Sequence, residues 1–407
     1  MGGHGQADMS TSFSRDVVIV GGCGHVGLPL GLVLADAGLS VTLYDLDANA
    51  VDRVSAGKMP FAERDADEML ERLIATDLLV ATVDPMVVSE AEHVVCVVGT
   101  PVDEHLNPDP KFVRLAIEGL LDQLRDGQHL ILRSTVYPRV TAMVEKMLRT
   151  ANRDIDVSFC PERIAEGKAL EELRTLPQIV SARTERAVQR ADALFAQIAP
   201  SIVHLEVEEA ELAKLFANTW RYIQFAAANQ LFMIANDFGL DFARIRAALK
   251  QDYPRLEGMP GPGLAAGPCL LKDTMQLAAF NNNNFTLGHA SMMINEGLPL
   301  YMVDRLEHEY DLSEMTVGIL GMTFKAESDD TRSSLSYKLK RLLRFRAARV
   351  LCTDPYAQTD SDLWPLAEVL AESDLLVIAT PHRLYADIEV DVPIVDVWDL
   401  MGNGERV

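Results

Sequence analysis

Short apolar runs alternate with helix-like segments along the first half of the chain. Residues 16–21, DVVIVG, form a β-branched run typical of a strand buried in a parallel sheet, and a glycine turn and a helical segment follow it. Similar runs recur at residues 78–82, 93–101, 128–136 and 155–162. This alternation predicts a doubly wound α/β sheet whose ligands lie at the carboxyl ends of its strands.

A longer helical pattern occupies residues 205–238 and ends at Gly239. Its acidic start suits the positive end of a helix dipole, and its mostly apolar second half predicts burial on more than one side. A helix of about 30 residues spans about 45 Å. We therefore hypothesise that it joins two domains and packs against a second copy of the chain, which predicts a homodimer.

The C-terminal segment restarts the α/β pattern, with runs such as 315–321 and 373–380, but it lacks a second G-x-G-x-x-G. The predicted fold class is therefore α/β, with two Rossmann-like doubly wound sheet domains joined by a long central helix and a helical middle domain. The predicted segments are a disordered tail at 1–14, a sheet domain at 15–204, a helical domain at 205–312 and a second sheet domain at 313–407.

Composition narrows the class of protein and of partner. The chain has 407 residues, of which 48% are hydrophobic and 24% charged, as in globular proteins of two or three domains. The net charge of -23 argues against nucleic acid or an anionic membrane as partner, and no apolar run is long enough for a membrane span. Five cysteines without a CxxC pair indicate neither a disulfide framework nor a zinc site. We expect no metal, reduced thiols and a cytoplasmic location.

The first glycine turn carries a dinucleotide-binding pattern. Gly22, Gly24 and Gly27 satisfy G-x-G-x-x-G between a predicted strand and a predicted helix, where glycines permit close approach of a pyrophosphate. Asp45 ends the next strand 23 residues after Gly22 and is placed to accept ribose hydroxyls, which favours NAD over NADP. Asp47 is an alternative for that role, and an ordinary turn without cofactor is the simpler alternative to the whole motif.

Polar residues follow three further predicted strands, at Thr100-Pro101, Ser134-Thr135 and Pro161-Glu162. Each alone is typical of a loop, but the carboxyl ends of parallel strands share one edge of a sheet. We therefore expect them beside the cofactor or the substrate.

Residues 260–274, PGPGLAAGPCLLKDT, place Cys269 on irregular, glycine-rich backbone that suits chemistry at a thiol. The alternative is a small apolar core residue. Lys214 and Asn218 share one helix face with Glu211, and a solvated Lys214 paired with Glu211 is the simpler interpretation.

In the second sheet domain, two cations bracket the first turn. Lys325 and Arg332 lie on either side of an acidic stretch, where they either hold a diphosphate or belong to a solvated, salt-bridged loop.

Taken in order, the motifs GGCGHVGLPLG, VVGTP with RSTV, CPERIAEGKA, AELAKLFANTWR, PGPGLAAGPCLLKD and GMTFKAESDDTRSS resemble the UDP-glucose/GDP-mannose dehydrogenase family. The resemblance covers nearly the whole chain after the tail. It implies NAD-binding, central and nucleotide-diphosphate-binding domains, in that order. It also implies four-electron oxidation of a nucleotide-sugar C6 alcohol to a carboxylate by two NAD+.

The resemblance also implies residue roles. Cys269 is the nucleophile that forms a thiohemiacetal and then a thioester. Lys214 and Asn218 stabilise the oxyanion, Asp273 and Thr135 hold a water beside Lys214, and Glu162, supported by Glu166, orients or deprotonates the water that attacks the thioester. The implied cofactor contacts are Gly22, Gly24, His25, Val26, Gly27, Asp45, Thr100, Pro101, Thr135 and Glu166. The implied substrate contacts are Arg163, Lys214, Asn218, Tyr253, Arg255, Gly263, Gly267, Lys325 and Arg332.

The substrate sugar is left open between two branches of the family. The Lys-Asp pair after Cys269 is more similar to UDP-glucose 6-dehydrogenases, whereas VDVW at 395–398 is similar to the N-acetylhexosamine branch. The AAGPC loop, with Pro268 directly before the thiol, departs from the family pattern. We expect a UDP-glucose-type hexose, with a UDP-N-acetylhexosamine as the alternative.

Two further classes remain as alternatives. A two-electron NAD dehydrogenase of the β-hydroxyacid type does not need Cys269, and a non-catalytic dinucleotide-binding protein does not need the polar set around it.

Overall fold

The computed structural model describes residues 13–100, 111–265, 267–357 and 360–407, which form two compact units. The described residues up to Lys214 form the first unit, and those from Leu215 form the second. Among the described residues, no helix has the length and apolar character needed to cross a membrane.

The first unit is a doubly wound sheet, as the alternating pattern predicts. Its elements are β1 (Arg15–Val20), α1 (Gly27–Asp36), β2 (Val41–Tyr44), α2 (Ala48–Ser55), α3 (Ala66–Ala75), β3 (Leu79–Thr82), β4 (Ala91–Cys96), α4 (Lys111–Leu120), β5 (His129–Leu132), α5 (Val140–Thr150), β6 (Asp156–Phe159), α6 (Ala169–Thr175), β7 (Gln178–Ala182), α7 (Glu185–Phe195), β8 (Ile202–His204) and the start of α8 (Val207–Asp237).

The strand order is β3-β2-β1-β4-β5-β6-β7-β8, and the only antiparallel pairing among the described strands is β6 with β7. Strand order reverses between β1 and β4, which is where a doubly wound sheet binds ligands. Val17, Val18 and Ile19 of β1 are fully buried because helices cover both faces of this central strand.

The second unit combines helices with a smaller sheet. Its elements are the rest of α8, α9 (Phe242–Lys250), α10 (Leu270–Phe280), α11 (Thr286–Glu309), β9 (Thr316–Leu320), α12 (Leu335–Arg344), β10 (Arg349–Thr353), α13 (Leu366–Glu372), β11 (Leu375–Ile378) and β12 (Ile394–Val395). The sheet is parallel, in the order β10-β9-β11-β12.

One apolar core joins the helices of the second unit to its sheet. Phe232 of α8, Leu298 and Met302 of α11, and Val317 of β9 belong to the same buried cluster. The chain thus folds into an α/β structure with two parallel-dominated sheets, which confirms the predicted fold class. The division into a tail and three domains stays a prediction.

Candidate active site

The glycine loop of the first unit fits a pyrophosphate. A Cβ added to Gly22 would lie 2.8 Å from the Leu43 Cα, and one added to Gly27 would lie 2.4 Å from the Gly21 carbonyl oxygen. Both glycines are therefore needed for packing. At Gly24 the nearest atom is 3.8 Å away, so this side of the loop stays open for a ligand.

The start of helix α1 adds to this fit. Its N-cap residue, Val26, offers no side-chain cap, and a helix N-terminus without one is suited to an anion. The His25 ring stacks on Phe61 at a centroid distance of 4.0 Å, a packing role that the sequence motif does not indicate.

The structure gives Asp45 and Asp47 different roles. The Asp45 carboxylate accepts hydrogen bonds from the Cys23 N–H at 2.9 Å and the Asp47 N–H at 3.1 Å, which ties the end of β2 to the glycine loop. The Asp47 carboxylate instead caps helix α2, accepting from Asn49 N–H and Ala50 N–H. Asp45 is therefore the better candidate for the ribose hydroxyls.

Sequence reasoning did not identify three exposed apolar side chains near the carboxyl ends of β2 and β3. Leu46 follows Asp45 and is 84% exposed, while Val83 and Met86 follow β3 and are 48% and 54% exposed. Exposed apolar side chains beside an acidic strand end are suited to stack against a purine base. In the sequence, the apolar residue directly after Asp45 could have indicated this surface.

The structure joins two other predicted strand ends by a hydrogen bond. The Thr100 hydroxyl donates to the Thr135 carbonyl oxygen at 2.6 Å, and the Ser134 hydroxyl donates to the Val98 carbonyl oxygen at 2.7 Å. Pro101 lies outside the described residues.

Glu162 is almost fully buried and its carboxylate is held by donors on both oxygens. One oxygen accepts from the Arg163 N–H at 2.6 Å and the Ile164 N–H at 2.9 Å, and the other forms an ion pair with Arg133. The Arg163 side chain donates to the Pro177 carbonyl oxygen. Glu166, four residues after Glu162, is partly buried.

Lys214 is not the solvated partner of Glu211 that the simpler interpretation supposed. Lys214 is only 9% exposed. The buried Glu211 carboxylate accepts from the Arg139 N–H at 2.6 Å and the Thr141 N–H at 2.9 Å, so it caps the start of α5. Glu211 therefore does not occupy Lys214 as an exposed ion-pair partner, and Lys214 stays a candidate for the role that the family resemblance implies.

The second unit carries an exposed thiol. Of the five cysteines, all of which lie in the described part of the chain, only Cys269 is exposed. Burial raises the pKa of Cys23 and Cys160 to about 12, and that of Cys96 and Cys352 to about 11.

Cys269 is also the N-cap residue of α10, so its side chain lies at the start of a helix. The alternative of a buried core cysteine is therefore wrong.

Asn218 and Asp273 form a buried hydrogen-bonded pair. The Asn218 amide donates to Asp273 Oδ2 at 2.6 Å, and Asp273 is fully buried. Asp273 Oδ1 accepts no hydrogen bond from the described residues, although Lys272 Nζ lies 3.4 Å away. A buried carboxylate oxygen that accepts no hydrogen bond is suited to an ordered water, such as the one that the family resemblance implies at Asp273.

Gly263 and Gly267 fit closely against aromatic rings. A Cβ on Gly263 would lie 2.1 Å from the Trp398 ring, and one on Gly267 would lie 2.6 Å from Phe324. Gly263 also exchanges two hydrogen bonds with the Asn229 amide, at 2.8 and 3.1 Å. Their positive φ angles and this close packing explain why glycine is required at both positions, which the sequence did not reveal.

The remaining predicted substrate residues lie on two segments of the second unit, at residues 253–255 and 325–332. Arg255 donates to the Tyr253 hydroxyl at 3.1 Å, and Tyr253 is exposed. Arg332 binds both oxygens of Asp330, at 2.6 and 2.9 Å, and keeps more than half of its side chain exposed. Lys325 is partly buried on the same loop.

A buried histidine–aspartate hydrogen bond anchors that loop. The fully buried His382 Nε2 lies 3.1 Å from Asp354 Oδ2, and its Nδ1 accepts from the Glu327 N–H at 3.0 Å. Burial alone raises the pKa of Asp354, but the hydrogen bonds from His382 and from two backbone N–H groups outweigh it and hold the pKa below its usual range.

Three family models together match most of the chain. They are described as the UDP-glucose/GDP-mannose dehydrogenase family NAD binding domain (residues 16–199), central domain (208–296) and UDP binding domain (318–401).

The UDP-N-acetyl-D-mannosamine dehydrogenase of Pyrococcus horikoshii is 26% identical over 401 residues, which are 96% of this chain and 93% of the relative. The structure of a UDP-glucose dehydrogenase from Pyrobaculum islandicum has a TM-score of 0.87 at 26% identity and covers 95% of both chains. That of the UDP-D-ManNAc dehydrogenase from Pyrococcus horikoshii has a TM-score of 0.85 at 26% identity, with 92% and 91% coverage.

Proposed function

Because the chain belongs to the UDP-glucose/GDP-mannose dehydrogenase family, we propose that it oxidises a UDP-N-acetylhexosamine of the N-acetylmannosamine type at C6. The observation that carries the oxidation chemistry is the single exposed thiol, Cys269, at a helix N-terminus in the chain that also carries the NAD binding domain. The sugar is supported by relatives named UDP-N-acetyl-D-mannosamine dehydrogenases.

The sequence favoured a UDP-glucose-type hexose, and the comparisons favour the alternative that it left open. UDP-glucose remains the second candidate, because a solved UDP-glucose dehydrogenase matches the whole fold with a TM-score of 0.87.

The proposed reaction converts the C6 alcohol, two NAD+ and one water into a C6 carboxylate, two NADH and three protons. When bound, NAD accepts the hydride in each of the two oxidations. The Cys269 thiolate adds to the aldehyde carbon after the first oxidation, and the second oxidation turns this thiohemiacetal into a thioester. Water then attacks the carbonyl carbon, the C–S bond breaks, and its electron pair returns to the sulfur.

The polar groups around this chemistry have complementary proposed roles. Lys214 assists deprotonation of the C6 hydroxyl and then stabilises the oxyanion, with Asn218 as a second donor. Asp273 and Thr135 hold a water beside Lys214, and Glu162, supported by Glu166, orients the water that attacks the thioester.

The NAD site is proposed along the switch point of the first sheet. Gly22, Gly24 and Gly27, with the main chain of His25 and Val26, face the pyrophosphate, and Asp45 accepts the ribose hydroxyls. Thr100 and Thr135 flank the nicotinamide side. The exposed apolar surface of Leu46, Val83 and Met86 is proposed for the adenine ring.

The nucleotide sugar is proposed to bind in the C-terminal sheet domain and the cysteine loop. Lys325 and Arg332 contact the diphosphate, while the main chain of Gly263 and Gly267 lines the sugar. Arg163, Tyr253 and Arg255 complete the proposed substrate set.

The experiment that tests this function counts NADH formed per sugar consumed. We expect two NADH per UDP-N-acetylmannosamine, with UDP-N-acetylglucosamine, UDP-glucose and dTDP-glucose measured alongside. Cys269→Ser should lower turnover by about a thousandfold or more, since it removes the covalent step. Cys352→Ala, which changes a buried thiol, should keep the stoichiometry. One NADH per sugar, or an active Cys269→Ser variant, would contradict the proposal and favour a two-electron dehydrogenase.

A further inference from the structure

Arg133 is a buried cation directly before the Ser134-Thr135 strand end. Only 1% of its surface is exposed, although arginine is among the residues that are almost never fully buried without a partner. One guanidinium nitrogen, Nη2, pairs with the Glu162 carboxylate. The structure therefore places a permanent positive charge against the carboxylate proposed to orient the hydrolytic water.

The other side of the guanidinium is fixed by the loop that carries Glu162. Arg133 Nη1 donates to the Cys160 carbonyl oxygen at 3.1 Å and to Gln178 Oε1 at 2.9 Å. The guanidinium carbon lies 5.0 Å from the centre of the Phe195 ring, within the range of a cation–π contact. These hydrogen bonds and the cation–π contact hold the guanidinium in the observed orientation.

Glu162 is constrained through its main chain as well. Its N–H donates to the Arg133 carbonyl oxygen at 3.3 Å, and the Gln178 amide donates to the Pro161 carbonyl oxygen at 3.4 Å. Its Oε1 accepts the Arg163 and Ile164 N–H groups. Donors on both oxygens fix the plane of the carboxylate. Oε1 already accepts two N–H groups, so Oε2, which pairs with Arg133, keeps a lone pair for a further donor.

We propose that Arg133 is a positioning residue for thioester hydrolysis, which it serves by holding the Glu162 carboxylate in one fixed orientation as an acceptor for the attacking water. This inference rests on the proposed function. In the step concerned, the water oxygen bonds to C6, the C–S bond breaks with its electron pair going to Cys269, and both water protons reach solvent as the product acid ionises. Glu162 accepts a hydrogen bond from the water, and this orients a lone pair of the water oxygen toward C6.

The proposal separates two halves of the reaction. The two oxidations do not need the water that Glu162 holds, whereas release of the product does. Loss of Arg133 should therefore leave the formation of two NADH per active site fast and slow only the hydrolysis that follows.

The experiment is a stopped-flow measurement of NADH with saturating NAD+ and nucleotide sugar, for the wild type, Arg133→Lys and Arg133→Gln. Arg133→Gln should show a burst of two NADH per active site and then a steady-state rate lower by about ten- to a hundredfold. Arg133→Lys keeps the positive charge but loses the planar pair of guanidinium donors. Its steady-state rate should therefore lie between those of the wild type and Arg133→Gln. Intact-protein mass spectrometry should detect the covalent adduct on Cys269 during the slow phase.

Two comparisons exclude a merely structural effect. Arg153→Gln removes another arginine of the first unit that donates to a backbone carbonyl, Leu121 O at 3.0 Å, and it should show no burst. Adding Glu162→Gln should cost little beyond Arg133→Gln alone, since both act on one water.

The outcomes distinguish this inference from the function on which it rests. A wild type that forms two NADH per sugar, together with an Arg133→Gln variant whose burst and steady state fall equally, overturns the role of Arg133 and keeps the function. If Arg133→Gln does not fold, Arg133→Lys decides, and a rate with Arg133→Lys equal to the wild type rate overturns the proposal. A wild type that oxidises none of the nucleotide sugars overturns both.

Discussion

Asp45 and Asp354 occupy equivalent positions in the two sheets, since each follows the second strand of a crossover that starts with a positive-φ glycine, Gly21 or Gly321. Asp354 Oδ2 accepts two backbone N–H groups and faces a buried His382, so its acceptor capacity is used within the protein. Asp45 accepts one backbone N–H on each oxygen and keeps lone pairs for a ligand. The first crossover therefore offers a ribose acceptor, and the second does not.

This difference predicts the effect of Asp45→Asn. Losing charged hydrogen bonds of about 1.5–3 kcal/mol should raise KM for NAD+ by about ten- to a hundredfold, while the discrimination against NADP+ falls because the repulsive charge is gone. Steady-state kinetics with NAD+ and with NADP+ measures both the change in KM and the change in discrimination. Asp47→Ala is the matched control: it should lower stability by about 1 kcal/mol through the lost helix cap and leave cofactor preference unchanged. The reverse result would assign the ribose to Asp47.

Residue-level reasoning from the sequence selected the glycines, Asp45 and Cys269 as candidates because their proposed chemistry depends on local spacing. It missed Arg133, since an arginine at a strand end is usually solvated, and its burial depends on Phe195 and Gln178, which lie far along the chain. It also took Gly263 for a ligand contact without detecting Trp398 against it.

At the scale of strands and helices, the alternating runs predicted β1, β5 and β6 well, and the long pattern at 205–238 matches α8, Val207–Asp237. The strands β7 and β8 were not predicted. Two of the three side chains of β8 are exposed, which leaves no apolar run, and the antiparallel pairing of β6 with β7 depends on contacts that local sequence does not encode.

Strands β4 and β5 bring two histidines together next to β6, and we expect this pair to make the stability of the fold depend on pH. His93 Nδ1 lies 3.1 Å from His129 Nδ1, and His129 Nε2 lies 2.8 Å from the Ser158 hydroxyl. Burial lowers the pKa of His93 to about 4, opposed by Glu92 and Asp16 and reinforced by Arg190. Burial, the neighbouring His93 and Arg190 lower the pKa of His129 well below its usual value.

Both histidines are neutral in the folded protein and titrate near 6.5 when unfolded. Their stabilising contribution is therefore complete above about pH 6.5 and is lost as the pH falls below it, by up to about 1.4 kcal/mol per pH unit for each histidine. Thermal unfolding between pH 4.5 and 8 measures this slope. His93→Leu with His129→Leu should reduce it, whereas changing the exposed His204 to Gln should not. An unchanged slope in the double variant would rule out this pair as its source.

At the scale of the whole molecule, α8 presents an apolar face to solvent. Trp220, Leu231 and Ile234 are exposed on α8 at spacings of about whole helical turns, and Phe238, directly after the helix, is 78% exposed. Large exposed apolar side chains grouped on one element are typical of an interaction surface. We propose that a second copy of this chain covers it.

The proposed dimer is tested by light scattering after size exclusion. The wild type should have twice the mass of the chain, and Leu231→Glu with Ile234→Glu should reduce it to one chain, since two buried charges per copy oppose association. Phe345→Glu, at an equally exposed residue elsewhere in the second unit, should leave the mass unchanged. A monomeric wild type at high concentration would leave α8 without the proposed partner.

The distribution of thiols has a practical consequence. Four cysteines are buried with raised pKa values, and Cys269 alone is exposed. An electrophilic fluorophore or crosslinker added to the folded, unmodified protein should therefore attach at one position. Labelling would serve as an active-site titrant, and its protection by a bound nucleotide sugar would report ligand affinity without any turnover.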